Sequence, residues 1–138
     1  MTALAGDRNT KRAKRGIRSF LVKGGVLIYE GAIVSLGTDG YARPGRTSTT
    51  DKSLGRARHR ADNVAGADGA IRIDVESDEI VFYANSAAGD AIAVTDVGAD
   101  CYIVDDQTVA KTNGTNTRVR AGIIDSVTVD GVGVNFDK

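Results

Sequence analysis

Two side chains in this 138-residue sequence have the chemistry of a nucleophile or a soft metal ligand, and there is one of each: His59 and Cys101. A Cys/His nucleophilic pair needs a third group to orient the base, and neither residue has an evident one beside it in sequence. Zinc needs about four ligands, while imidazole and thiolate together supply two. Ser/His/Asp catalysis would rest on the same His59, set in a run with Arg56, Arg58 and Arg60. Cys101 opens the apolar run Cys101–Val104 and reads as an inert core thiol. As the sole cysteine it has no intrachain disulfide partner, which points to a reducing compartment. The carboxylates Asp74, Glu76, Asp78, Glu79 and the pair Asp105-Asp106 lack the spacing of a calcium loop, and they read as solvated turns. Gly131-Val132-Gly133 lacks the third glycine and the following helix of a phosphate cradle. Asn113-Gly114-Thr115 fits a glycosylation acceptor, but with no secretion signal it reads as a turn. The expectation is a protein that is not an enzyme, with no catalytic residue, no cofactor and no metal.

Charge is the second signal. The net is zero, yet residues 1–60 carry thirteen Lys/Arg against four Asp/Glu, and residues 61–138 carry five against fourteen. Halves of +9 and −9 point to a charged partner or to another copy of the same chain. Much of the positive charge lies in the opening residues 1–16, where Arg8, Lys11, Arg12, Lys14 and Arg15 cluster with no apolar periodicity. Too little apolar surface is present there to offset ordering entropy, so the stretch reads as an extended arm. Nucleic-acid binding is not expected: single-strand binders interleave aromatics that stack on bases, and residues 1–19 and 42–81 have none. No apolar run approaches the roughly 20 residues of a membrane span, so the protein is expected to be soluble and intracellular when made.

The elements that would position these residues are strands. Val and Ile total 25 residues against five Leu, and Gly reaches 17, a composition of β-branched strands and frequent reversals. Phe20-Leu21-Val22 opens the folded part, and Val26–Tyr29 and Ala32–Leu36 flank Glu30-Gly31. Asp39-Gly40 marks a turn, and residues 43–52 form a polar loop. Leu54–Arg60 reads as a strand presenting Arg56, Arg58 and Arg60 on one face. Ile71–Glu76 alternates cleanly, with Ile71, Ile73 and Val75 inward. Ile80–Ala84 follows the turn at Ser77–Glu79, and Thr95–Val97 reads as a helical turn ended by Gly98. Cys101–Val104 and Gln107–Ala110 form a hairpin through Asp105-Asp106. Two strands, Arg118–Ile124 and Ser126–Val129, precede an Asp130-Gly131 hairpin and a last strand with Val132, Val134 and Phe136. Eight to ten short strands and no long helix predict an all-β fold, a compact barrel or sandwich. It is divided into an extended basic arm, residues 1–18, and a single β domain, residues 19–138.

The order of these pieces resembles the capsid decoration, or cement, proteins of tailed bacteriophages. The similar segments are Asp7–Thr10, Ile28–Val34, Asp39–Ala42, Gly55–Ala57, Asp62-Asn63, Gly66–Gly69, Asp100–Val109 and Ala121-Gly122, and together they span most of the chain. The resemblance implies a β-tulip-like or jelly-roll-like domain and a structural role. Such a protein is made in the host bacterial cytoplasm and sits on the outer capsid surface of the virion. There it clamps neighbouring subunits of the major capsid protein, commonly as a homotrimer and sometimes as a dimer. Arg8, Lys11, Arg12, Lys14 and Arg15 are then the capsid-interface candidates. The other readings are a different β-rich virion component, such as a head-fibre or tail subunit, or a small nucleic-acid-binding β-barrel.

Overall fold

The computed structural model describes residues 2–137; Met1 and Lys138, the ends of the expected arm and body, lie outside them. Among the described residues the chain is all-β, with twelve strands and two short 3-10 turns. Seven strands fall in the first half: β1 (Ile17–Leu21), β2 (Leu27–Ile28), β3 (Ile33–Leu36), β4 (Ala42–Pro44), β5 (Lys52–Ala57), β6 (Ala61–Asp62) and β7 (Arg72–Glu76). Five of them make an antiparallel sheet in the order β1-β7-β5-β3-β4, while β2 and β6 pair separately. The sheet curls until its end strands approach, with Val22 bridging Ala42 and the Lys23 N–H donating to the Ala42 carbonyl at 2.9 Å. Alternation drives this curl, because the inward side chains Val34, Leu54, Ile73 and Val75 bury one another along with Val22 and Ile28. The buried Asn63 amide nitrogen reaches the carbonyls of Val22, Lys23 and Ala67, tying down the turn-rich stretch between β6 and β7.

The second half is a closed barrel in the order β10-β8-β12-β11-β9. Its strands are β8 (Ile80–Asn85), β9 (Asp100–Ile103), β10 (Thr108–Ala110), β11 (Arg120–Thr128) and β12 (Gly131–Asn135). β8 and β10 run parallel, and parallel neighbours need a crossover connection. The chain between β8 and β9 carries the 3-10 turns Ala88–Asp90 and Val94–Asp96. Cys101, Ile103, Val109, Ile124, Val132 and Val134 fill the barrel, joined by Ile33 from β3 of the other sheet. The halves meet along a hydrogen-bonded seam. The Ile33 N–H donates to the Asp106 carbonyl at 2.8 Å. The Tyr83 hydroxyl donates to the Gly31 carbonyl at 2.9 Å, and the Thr47 hydroxyl to the Val104 carbonyl at 3.2 Å.

Several strand boundaries differ from the sequence reading. The body starts at Ile17, which pairs with Glu76, so Ile17 and Arg18 belong to β1 rather than to the arm. β5 ends at Ala57 and the chain bends at Arg58-His59, so Arg60 leaves the expected arginine face. The two strands expected between Arg118 and Val129 are one, β11, with a register shift between Ile124 and Ser126. A bulge lets one strand change pairing without ending. The last hairpin turns at Val129-Asp130, because Thr128 pairs with Gly131. The helical turn falls at Val94–Asp96, one residue earlier than expected.

Candidate functional site

His59 and Cys101 lie in different halves. Cys101 is fully buried in the barrel, its thiol within 3.6 Å of the Gly122 carbonyl. Burial pushes the thiol up to about 11, which withholds the reactive thiolate at neutral pH. His59 follows β5 and bridges two backbone groups. Its Nε2 accepts from the Asp74 N–H at 3.1 Å, and its Nδ1 lies 3.1 Å from the Arg60 carbonyl. A carbonyl can only accept, so Nδ1 carries the proton and the Nε2 lone pair is already engaged. The arginines around it are held too: Arg56 and Arg58 flank Glu76 at 2.9 and 3.5 Å, and Arg60 lies over the Tyr29 ring at 5.6 Å. Among the described residues no three His, Cys, Asp or Glu side chains converge as a metal site would require.

The arm residues behave differently. Every residue from Thr2 to Arg15 is exposed and outside any strand or helix. Arg15 pairs with Asp137 at 2.8 Å, beside the end of β12. Gly16 then enters the body, accepting from the Ser77 N–H at 2.8 Å. Arg8, Lys11, Arg12 and Lys14 form no ion pair among the described residues. The leader therefore presents four free cations on a chain anchored at its base.

A second feature, not foreseen from the sequence, is a groove of about 520 Å³ along the seam. It is lined by Tyr29 and Glu30 of the β2–β3 turn, by Phe82 and Tyr83 of β8, and by Asp106 of the β9–β10 turn. Tyr29 and Phe82 are 56% and 42% exposed, high for rings of their size. Tyr83 is buried, its phenol held above the usual range by that burial. Asp106 is half-buried, and burial followed by the Asp105 charge raises its carboxyl above the ordinary carboxylate range. Glu30, Asp105 and Asp106 have no ion-pair partner among the described residues. Nothing local in the sequence marks the groove: Asp105-Asp106 has the composition of a solvated turn and lies in the bend before β10.

Comparison with known protein families, with curated proteins and with solved structures found no match to this chain.

Proposed function

We propose that the protein is a non-enzymatic decoration (cement) protein of a tailed-phage head, which binds the outer capsid surface and stabilises contacts between major capsid protein subunits. The observation that carries this reading is the pairing of a well-packed β body with an exposed leader whose Arg8, Lys11, Arg12 and Lys14 form no ion pair among the described residues. Free cations on an extended segment are spent on another surface at little cost to the body's own fold. Main-chain groups of such a segment can also add to an exposed strand edge of a partner. Each contact is modest, and repetition over a symmetric shell, or within a homotrimer or dimer, multiplies it into avidity. The order of segments noted in the sequence supports the same reading.

The test is electron microscopy of decoration-free heads incubated with the purified protein. Full-length protein is expected to add density at regular sites on the outer surface. Protein lacking residues 2–14, which keeps Arg15 and Gly16 at the entry to the body, is expected to stay folded and to leave the heads bare. Full occupancy by the truncated protein would remove the leader from the mechanism. Bare heads with the intact protein would overturn the reading.

A further inference from the structure

The groove at the seam combines three features. It is open and flanked by two exposed aromatic rings, Tyr29 and Phe82. It is acidic, with Glu30 and Asp106 in its lining and Asp105 next in the chain. Two arginines close to it are already engaged, Arg56 with Glu76 and Arg60 with the ring of Tyr29. Arg60 over Tyr29 also shows the kind of contact these rings accept, a guanidinium on an aromatic face. A ligand matched to such a surface is an extended peptide rich in Lys and Arg.

The chain itself carries one. Thr2–Arg15 contains five cations and a single acid, Asp7, and it is exposed along its whole length. Fourteen extended residues span roughly 45 Å. A folded body of this size is about 35 Å across, so the leader is long enough to reach a neighbouring copy, and it is not seated in its own groove: its residues are exposed and none pairs with Glu30, Asp105 or Asp106 among the described residues. We infer that the groove between the β2–β3 turn and β8 is a docking site for the basic leader of a second copy of this chain. Lys and Arg side chains from Arg8 to Lys14 pair with Glu30, Asp105 and Asp106, and their stems lie against Tyr29 and Phe82. This contact forms between free copies and does not depend on the capsid reading; on a head, the shell competes for the same leader.

Sedimentation equilibrium of the full chain at low salt tests this with four proteins: wild type, E30Q/D106N, K11Q/R12Q, and the four substitutions together. Glu30 is exposed, and only the backbone of Asp106 is used in the seam, so the groove variant keeps the fold; circular dichroism checks this. Wild type is expected to self-associate, and less so as salt is raised. Each double variant is expected to weaken association about tenfold, as loss of two partly screened charge contacts would. The quadruple variant is expected to be no weaker than either double, because both remove the same contact. A wild type that stays monomeric at low salt, self-association indifferent to E30Q/D106N, or losses that simply add would each overturn the proposal. No heads enter the experiment, so its failure leaves the decoration reading to its own test.

Discussion

Asp106 is half-buried, lies next to Asp105, and has no ion-pair partner among the described residues, so the folded state bears the cost of its charge. Its carboxyl is raised by burial and by that neighbour. A group whose pKa is raised on folding favours the folded state at low pH, and that advantage is lost as pH rises through the folded value. Asp106→Asn should therefore stabilise the protein at pH 7, by roughly 0.5 kcal/mol for a partly exposed carboxylate. The gain should vanish below the ordinary carboxylate value of 3.8. Thermal unfolding of both proteins from pH 3 to pH 7 would check this; a gain that persisted at pH 3 would contradict it. The sequence could not reveal this strain. Asp105-Asp106 has the composition of a solvated turn, and the Asp105 carboxylate does cap the Gln107 N–H at 2.9 Å as such a turn should. What draws Asp106 inward is the seam with Ile33, a neighbour distant in the chain. Cys101 was legible for the opposite reason: its burial follows from its immediate apolar neighbours.

At the scale of elements, the alternating strands were readable because burial on one face imposes a period of two. In β7, Ile73 and Val75 are buried and Arg72, Asp74 and Glu76 are not. Irregularities were not readable, because a bulge depends on the partner strand. β5 shows this: Val34 pairs with Gly55 and Ser35 with Ser53, leaving Leu54 as the extra residue. Gly55 takes a φ of +139° there, and a Cβ on it would run into the Glu76 carbonyl oxygen of β7. Gly55→Ala should therefore cost roughly 3 kcal/mol, combining backbone strain with a clash against a ladder carbonyl that cannot move aside. A fall in urea midpoint measures it, and an unchanged midpoint would rule out this conformation of β5. The arginine face expected from Arg56, Arg58 and Arg60 fails for a related reason, since the bend after Ala57 sends Arg60 to Tyr29. The groove lay beyond sequence reasoning altogether. Its residues come from the β2–β3 turn, from β8 and from the β9–β10 turn, and no spacing links them.

At the scale of the molecule, an all-β class was written into the composition, but the division into two cores was not. Each core has its own sheet, and Ile33 crosses from the first sheet into the second core. Because Ile33 supplies both a fully buried side chain and a backbone bond to Asp106, the halves should unfold together. Tyrosine fluorescence and circular dichroism should report one coincident urea transition. Ile33→Ala should lower it by about 3 kcal/mol as a cavity opens. Two separated transitions in the wild type would show that the seam does not couple the halves.

The same crossing gives assembly a direction. Every strand of the first sheet, and every buried residue of its core, lies between Ile17 and Glu76, so its ladders and core are complete once that much chain has left the ribosome, and only the seam contacts of Gly31, Ile33 and Thr47 wait for the barrel. The barrel does not enjoy the same independence, since one of its packing residues belongs to the segment made earlier. Synthesis thus delivers a template with its own core before the portion that must close against it, an order that shortens the time for which the later strands lack a surface to fold upon.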